Sequence, residues 1–229
     1  MKISNRLYKI YEQVSSGDAV ADIGTDHGYV PILLLKNNIS PSVILSDISD
    51  KSLSKAASNC ILQGLGDDVR IKFRVGDGLK SIMHAEVDEI ILAGIGGLLI
   101  CNILEDDLEK THSFKKIIMQ PRNNNGALRY WLLTHGFKID REVLSEEGKF
   151  ICEIIVASPR CKNKFDTLNE LTPNANMLSA DDIRWKYPPS LTNCDQALLC
   201  KKIGWKIGSL NAEIKNLKKS KSDMSKKIS

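Results

Sequence analysis

A short polar loop with an unusual charge pattern is the first part of the chain that could do chemistry. It has the form D-x-G-x-x-x-G and runs from Asp22 to Gly28. Nucleotide-binding loops of the G-x-G-x-x-G type use a middle glycine to bring the backbone close to a pyrophosphate. Asp26 stands at that position here, and its carboxylate would repel a phosphate. The loop therefore favours a cationic, phosphate-free cofactor such as S-adenosylmethionine (SAM), although a tight strand-to-helix turn explains its glycines equally well.

Two more acidic residues follow predicted strands. Asp47 comes 23 residues after Gly24, where a carboxylate can accept hydrogen bonds from both ribose hydroxyls. Asp77 follows the next strand, where it could meet the exocyclic amine of adenine, with Asn59 of the facing helix beside it. Turn or helix-cap chemistry would explain either acid alone. Polar residues at three successive strand ends favour a cofactor site, because open α/β sheets bind ligands at that edge.

Two glycine- or amide-rich segments follow the next predicted strands. Ala93-Gly-Ile-Gly-Gly97 leaves open space beside a methyl donor, which suits the entry of a flat base. Gln120-Pro-Arg-Asn-Asn-Asn125 places a cluster of amides near the same opening. An ordinary polar loop before the helix that begins near Gly126 is the alternative interpretation.

The elements that must position these residues alternate between strand and helix patterns. An amphipathic helix with apolar residues from Leu7 to Val14 comes first, and a hairpin of Phe137–Leu144 and Phe150–Ala157, joined by residues 145–148, comes last. Between them the pattern predicts five strands linked by crossovers. The expected fold is an α/β, Rossmann-like seven-stranded sheet of nucleotide-binding type. The predicted strands before the hairpin are Val20–Ile23, Val43–Leu45, Ile71–Val75, Ile90–Ala93 and Ile117–Met119.

The C-terminal part of the chain differs in composition and charge. Residues 160–194 are rich in Asn, Thr, Ser and Pro, which is typical of a connector with a short helix or two. The last 35 residues hold nine lysines against three acidic residues, whereas the rest of the chain is slightly acidic. Their apolar residues follow a heptad pattern, which predicts a coiled coil with either a second helix of the connector or another chain. We therefore expect a domain of residues 1–159 and a small all-α domain of residues 160–229, whose lysines either solubilise a helix or bind a polyanion.

Several function classes are disfavoured. The longest apolar or glycine run, Ile90–Cys101, is shorter than the roughly 20 residues that span a bilayer, and the N-terminus lacks the apolar region of an export signal. Six cysteines lack zinc spacing. We expect a cytoplasmic protein with reduced thiols, no membrane segment and no metal.

The motifs also resemble a known family in order along the chain. These are Asp22–Pro31, Gly76–Gly78, Ala93–Gly97, Gln120-Pro121, Leu128–Leu132, Gly136-Phe137 and Glu153–Val156. Together they resemble the bacterial tRNA (adenine-22-N1)-methyltransferase family, class I SAM-dependent enzymes with a C-terminal coiled-coil domain. Two positions depart from its pattern: Arg122 stands where asparagine is expected, and Cys152 stands where an aromatic residue, commonly tyrosine, is expected.

The resemblance implies SAM as cofactor, tRNA as substrate and transfer of a methyl group to N1 of an adenine. Asp26 is the first candidate for stabilising positive charge near the exocyclic amine, and His27 and Tyr29 could position or stack on the base. Asp26 could instead bind the amino group of the methionine part of SAM, and His27 and Tyr29 could simply bond to backbone or pack. The expected cofactor residues are Asp22, Gly24, Thr25, Asp47, Ile48, Asn59, Asp77, Gly78, Ala93 and Gly94. The expected substrate residues are Gln120, Pro121, Asn123, Arg129, Lys201, Lys202, Lys215, Lys218 and Lys219.

Three other functions compete with this one. A methyltransferase acting on a small molecule or a protein would keep the cofactor site and use the basic tail for oligomerisation. A non-catalytic RNA-binding protein could keep the fold without activity. A nicotinamide-dependent oxidoreductase is disfavoured because Asp26 lies where the pyrophosphate would bind. The expected oligomeric state is a monomer or a weak homodimer.

Overall fold

The structure, a computed structural model, describes residues 3–159 and 178–228 of the 229-residue chain, with side chains in the last helix as far as residue 218. Seven strands form one mixed sheet in the order β3-β2-β1-β4-β5-β7-β6. The first five are parallel, and β7 runs antiparallel to both of its neighbours. The strands are β1 (Val20–Ile23), β2 (Val43–Asp47), β3 (Ile71–Val75), β4 (Glu89–Ile95), β5 (Lys116–Pro121), β6 (Phe137–Glu147) and β7 (Phe150–Pro159).

Helices of the described residues cover the sheet and continue beyond it. Strands β1, β2, β4 and β5 are each followed by a helix, and a 3₁₀ turn at Gly78–Ser81 follows β3. This arrangement confirms the predicted Rossmann-like, seven-stranded α/β fold. The helices are α1 (Asn5–Tyr11), α2 (Tyr29–Lys36), α3 (Asp50–Leu62), α4 (Gly97–Glu105), α5 (Leu108–Ser113), α6 (Asn125–Thr134), α7 (Ile183–Lys186) and α8 (Gln196–Ile228).

The core fills both faces of the sheet, which explains why the central strands are continuous apolar runs. Val20 of β1 and Ile91 of β4 belong to the cluster beneath α2 and α3, whereas Ala21 and Ile90 belong to the cluster beneath α4 and α6. Helix α2 begins directly after Gly28, whose φ is +66°. A β-carbon at Gly28 would lie 2.7 Å from Leu45 Cδ2, so this close helix–sheet approach requires glycine.

The terminal hairpin is longer than predicted. Strands β6 and β7 pair from Phe137 opposite Pro159 to Glu147 opposite Phe150, leaving Gly148 and Lys149 as the turn. The expectation that residues 145–148 form the connecting loop was therefore wrong. The positive φ of Gly148, +59°, permits a two-residue turn, which lets residues 145–147 continue the ladder.

Helix α7 and a 3₁₀ turn at Pro189–Asn193 connect the sheet to the long helix α8, in agreement with the predicted short helices. The first turn of α8 is anchored through Leu199, which packs with Leu144 and Leu191. Further along α8, Ile203, Ile207, Leu210 and Ile214 are 40–54% exposed. The described residues therefore do not cover the heptad face, and the coiled coil stays a prediction. None of the described helices is both long and apolar enough to cross a membrane.

Candidate cofactor and substrate site

Asp22, the last but one residue of β1, is the buried acid at the centre of the carboxyl edge of the sheet. Its side chain is nearly inaccessible, and burial raises its pKa from 3.8 to about 6. A hydrogen bond from Thr25 opposes this rise, and the negative charge of Asp47 adds to it. Thr25 is itself buried, and its Oγ1 accepts a hydrogen bond from Gly28 N at 3.2 Å. An acid in this environment is stabilised in its charged form by a cationic ligand.

The loop from Gly24 to Thr25 is fixed to the neighbouring strand. The backbone N–H groups of both residues donate to Ser46 O of β2, at 2.7 and 3.1 Å. Asp47 follows at the end of β2, and its Oδ1 accepts a hydrogen bond from Ser49 N at 2.7 Å. Ile48 between them is 73% exposed, which is unusual for an apolar side chain beside buried polar groups. Asp47 and Ile48 thus present a carboxylate and an apolar surface at the same strand end, as a ribose and a base require.

The residues predicted to face adenine, Asp77 and Asn59, have different partners in the structure. Asp77 lies at the start of the 3₁₀ turn after β3, is exposed, and forms an ion pair with Lys80 at 3.0 Å. Gly78 follows it with a φ of +55°. Asn59 of α3 donates through Nδ2 to His27 O at 3.0 Å, so its amide holds the loop after β1. Asn59 is therefore placed to position this loop, and its second amide N–H and its Oδ1 can still meet a cofactor.

A bulge in β4 leaves open space at Gly94, one of the three glycines that were expected to provide it. The register with β5 shifts between Ala93 and Ile95, and Gly94 between them has a φ of +77° with no atom within 4 Å of a built β-carbon. Gly97, in contrast, begins α4 in close contact with the loop after β5. A β-carbon there would lie 2.6 Å from Asn123 O, and Gly97 N donates to that oxygen at 3.1 Å. The loops after β4 and β5 are thus joined around an opening at Gly94.

The candidate catalytic residues Asp26, His27 and Tyr29 lie together in the loop after β1 and the first turn of α2. Asp26 is half exposed; its Oδ1 accepts a hydrogen bond from Lys55 Nζ at 2.8 Å and its Oδ2 lies 3.0 Å from His27 Nε2. The Lys55 hydrogen bond lowers the pKa of Asp26 despite some opposing desolvation, and the charge of His27 adds to the lowering. Asp26 is therefore suited to act as a fixed negative charge and poorly suited to accept a proton at neutral pH.

The rings of His27 and Tyr29 stack on each other, with centroids 5.2 Å apart and planes 10° apart. The sequence predicted that either ring could stack on a substrate base. In the structure one face of each ring is already occupied by the other. A base can therefore extend this stack on an outer face without breaking the pair.

A cleft of about 990 Å³ opens from Gly94 toward the turn of the hairpin. The predicted substrate residues Gln120, Pro121 and Asn123 all line it. The Gln120 amide is buried and oriented from both ends: Arg6 Nη1 donates to its Oε1 at 2.9 Å, and its Nε2 donates to Pro121 O at 3.0 Å. Arg6, far away in sequence, was not predicted; it also pairs with Glu147 across the cleft.

Arg129 of α6 belongs to a buried ionic network, here called the α6–β7 network. Its side chain is 1% exposed and pairs with Glu142 of β6 at 2.6 Å and with Glu153 of β7. It also donates through Nη1 to Trp185 O of α7 at 3.0 Å. Burial alone would raise the pKa of Glu153, but the charges of Arg129 and Lys202 reverse this and lower it. Such burial and pairing argue against the expected contact of Arg129 with substrate, because its donors already have protein partners.

The predicted lysines of α8 fall into separate environments. Lys202 pairs with Glu153 at 2.6 Å and so belongs to the α6–β7 network, while Lys201 pairs with Glu146 and lies over the Trp205 ring at 5.2 Å. Lys215 and Lys218 are exposed further along the helix. The side chain of Lys219 lies outside the described residues. Of these lysines, Lys215 and Lys218 form no ion pair within the described part of the chain. They can therefore bind a polyanion without breaking one.

Other residues of the cleft were not predicted from the sequence. Phe150 and Ile151 of β7, and Ile183, Lys186 and Tyr187 in and beside α7, complete its walls. An aromatic residue beside a glycine turn was the available signal for Phe150. Nothing local points to α7, which reaches the cleft only by packing on α6 through Trp185. Within residues 3–159 and 178–218, no group of three potential metal ligands occurs.

Comparisons with known proteins agree with this geometry. A profile of the methyltransferase-domain family matches residues 3–155. The tRNA (adenine(22)-N(1))-methyltransferase of Bacillus subtilis is 34% identical over 157 residues, which are 69% of this chain. Those residues span 65% of the Bacillus protein, slightly less than two thirds of its length.

Two crystal structures extend the similarity to nearly the whole chain. The m1A22 tRNA methyltransferase TrmK of B. subtilis is 28% identical, with a TM-score of 0.74 over 95% of this chain and 88% of that one. A candidate tRNA (m1A22) methyltransferase of Streptococcus pneumoniae, solved with S-adenosyl-L-methionine, is 30% identical. It has a TM-score of 0.76, and the match covers 93% of this chain and 91% of that one. The chain therefore belongs to the methyltransferase-domain family and, within it, to the tRNA (m1A22) methyltransferase family.

Proposed function

We propose that this protein is a SAM-dependent methyltransferase that methylates N1 of adenine 22 in tRNA. The observation that carries the proposal is the environment of Asp22 at the carboxyl edge of a methyltransferase sheet. Burial raises the pKa of this acid, and a bound cation would stabilise its ionised form. The membership of the tRNA (m1A22) methyltransferase family supplies the substrate, since relatives with that activity match over most of the chain.

The residues of the first three strand ends fit SAM better than they fit a dinucleotide. SAM has a sulfonium, an amino group and no phosphate, and the site offers the carboxylates of Asp22, Asp47 and Asp26 in a small region. We infer that Asp22 holds the cationic methionine part, that Asp47 accepts the ribose hydroxyls, and that Ile48 and Gly78 enclose the adenine. Thr25 and Gly24 keep the loop in place through their bonds to Asp22 and β2.

When bound, SAM supplies an electrophilic methyl group, and the protein's own task is to aim adenine at it. N1 carries an in-plane lone pair, so the base must enter edge-on through the opening at Gly94 and Ala93. Holding the reacting atoms in line can supply most of the rate enhancement. The stacked pair of His27 and Tyr29 offers an aromatic face for the base, and the Asp26 carboxylate stabilises positive charge that develops on the methylated ring.

The Watson–Crick edge of adenine is blocked in a paired helix, so the tRNA must present adenine 22 unpaired or flipped. We propose that residues 1–159 bind SAM and the target base, while the helical part in residues 160–229 holds more distant phosphates through Lys215, Lys218 and Lys219. Arg129 and Lys202 then act as positioning residues that dock α7 and α8 on the sheet. We also propose a cytoplasmic protein that is a monomer or a weak homodimer, a state that light scattering after gel filtration measures directly.

The deciding experiment is incubation of unmodified tRNA with methyl-labelled SAM, followed by mapping of the labelled nucleoside. We expect label at N1 of adenine 22. A tRNA with adenine 22 replaced by guanine is the matched control and should stay unlabelled. Label at another position would refute the proposed specificity, and absence of label with SAM bound would refute the proposed activity.

A further inference from the structure

The cleft beside the methyl-transfer opening is larger than one base needs. Its volume of about 990 Å³ lies at the upper end of the range for pockets that hold whole small molecules, roughly 300–1,000 Å³. It begins at Gly94 and extends past Gln120 to Phe150, at the hairpin turn on the same edge of the sheet. Of the expected cofactor residues, Gly94 alone lines it, and Asp22, Asp47 and Asp77 do not. The extra space is therefore continuous with the target-base position and separate from the cofactor end.

The outer walls of this cleft carry exposed apolar side chains. Phe150 of β7 and Ile183 of α7 are each 62% exposed although both line the same cleft. An exposed phenylalanine at a polar cleft is a common platform for an unstacked nucleic acid base. Lys149 lies over the Phe150 ring at 5.6 Å, on the turn, and adds a cation beside this platform.

The charges of the cleft are unevenly balanced. Its carboxylates Glu147 and Glu153 are paired with Arg6, Arg129 and Lys202, and Asp182 is paired with Arg184. Two cations that line the cleft, Arg122 and Lys186, form no ion pair within the described parts of the chain. Among the acidic residues that line it, Asp181 alone forms no ion pair there. Both cations are exposed, and Arg122 is held by its backbone, which donates to Ile95 O at 2.8 Å. The cleft can therefore accept an anion on its rim without breaking an ion pair.

We propose that this cleft is a second RNA subsite, which holds the nucleotide next to the methylated one as single-stranded RNA. Phe150 stacks on its base, and Arg122 and Lys186 contact the phosphates on either side. The amides of Asn123 and Asn124, before α6, and of Asn125, its first residue, offer donors and acceptors to the edge of the base. This inference rests on the proposed function, because a flipped adenine in the opening at Gly94 leads its neighbour in the strand directly into the cleft.

The stacking part is tested with full-length protein, tRNA and three variants. Phe150→Ala should raise the tRNA dissociation constant by between about 5-fold and 150-fold, whereas Phe150→Trp should restore it. Phe73→Ala, at a 39%-exposed phenylalanine of edge strand β3, is the matched control and should bind tRNA as the wild type does. SAM affinity should stay the same in all three. Equal tRNA affinity of the Phe150→Ala variant and the wild type would overturn the subsite.

The phosphate part is tested by the salt dependence of tRNA binding. Removing both cations, as Arg122→Ala with Lys186→Ala, should reduce the slope of log K against log salt by about 0.7 for each lost contact. Arg141→Ala with Lys138→Ala, on β6 outside the cleft, is the charge-matched control and should keep the slope. An unchanged slope in the first variant would contradict the assignment of Arg122 and Lys186.

Different results would contradict the proposed function and the proposed RNA subsite. If wild-type protein transfers no methyl group to tRNA, or labels a protein substrate instead, the proposed function is wrong and the subsite falls with it. If wild-type protein methylates tRNA but the Phe150→Ala and cation variants keep wild-type tRNA affinity, the subsite alone is wrong.

Discussion

The two halves of the carboxyl edge of the sheet differ in how their acidic residues are balanced. At β1 and β2, Asp22 is buried without a cationic partner in the described residues, and the charge of Asp47 makes its ionisation still less favourable. At β6 and β7, Glu142 and Glu153 are as deeply buried, but Arg129 and Lys202 neutralise them. The first half therefore gains by binding a cation, while the second is already neutral and leaves other cations free on its rim.

This difference matches the two substrates of the proposed reaction. A cationic cofactor supplies the charge that the β1–β2 half lacks, and an anionic RNA strand meets the rim of the β5–β7 half. One sheet edge can thus hold ligands of opposite charge a short distance apart, because, within the described residues, its buried acidic side chains are unpaired in one half and paired with cations in the other. Substitutions that change the charge of one half at a time should therefore separate the two roles.

The largest effect is expected from removing the central cation of the α6–β7 network. Arg129→Met leaves the carboxylates of Glu142 and Glu153 facing each other in a buried site, with only Lys202 to compensate. Breaking a buried ion pair from one side typically costs about 3–5 kcal/mol. Urea denaturation should show a loss of unfolding free energy of this size. Arg141→Met, at an exposed arginine of β6, should cost little; a loss below about 1 kcal/mol for Arg129→Met would contradict the structural role of the network.

On the cofactor side, removing a buried charge should raise the free energy of unfolding instead of lowering it. Asp22→Asn removes a buried charge that has no cationic partner in the described residues, so the ligand-free protein should become more stable at pH 7.5. The pKa difference between 3.8 and about 6 corresponds to a gain of up to about 3 kcal/mol. SAM affinity should fall, as calorimetry can measure. Asp67→Asn, at an exposed acid, should change neither; a variant that is both less stable and equal in SAM affinity would contradict the assignment of Asp22.

The pH dependence of the wild-type protein follows from the same group. Because the folded pKa of Asp22 lies above its unfolded value, the folded state holds the extra proton between pH 3.8 and about 6. The contribution of Asp22 to stability is therefore present at low pH and is lost as pH rises through about 6. SAM binding needs the ionised form, so it should tighten over the same interval and release a proton. Calorimetry in two buffers of different ionisation enthalpy measures that release, which Asp22→Asn should abolish.

The positions of the acids at the strand ends could be predicted from sequence because they depend on local patterns. A buried strand followed by a polar residue places that residue at the sheet edge, and Asp22, Asp47 and Asp77 are found there. The open space at Gly94 was predicted from the glycines of residues 94–97, whereas the bulge that creates it was not.

The partners of these groups could not be predicted, because pairing across the fold depends on tertiary packing. Glu153 lies within β7 directly before an apolar run and signals a paired buried charge, but its partners come from α6 and α8, 24 and 49 residues away. Lysines of one helix look alike in sequence, yet Lys202 is committed to the network whereas Lys215 is exposed. Likewise, the mutual stacking of His27 and Tyr29 depends on the turn at Gly28 rather than on their spacing alone.

The smallest effect is expected from the exposed lysines of α8. Reversing two charges, as Lys215→Glu with Lys218→Glu, should weaken tRNA binding and reduce its salt slope by about 0.7 to 0.9 for each lost phosphate contact. SAM affinity and stability should stay unchanged, because both side chains are exposed and far along the helix. Lys36→Glu with Lys138→Glu changes the net charge equally but lies at the opposite, amino edge of the sheet, so it should leave the slope nearly unchanged. If both double variants reduce the salt slope by the same amount, the overall charge of the protein attracts the RNA and α8 has no specific role. If only the α8 variant reduces the slope, this helix extends the anion-binding side of the sheet edge beyond the cleft.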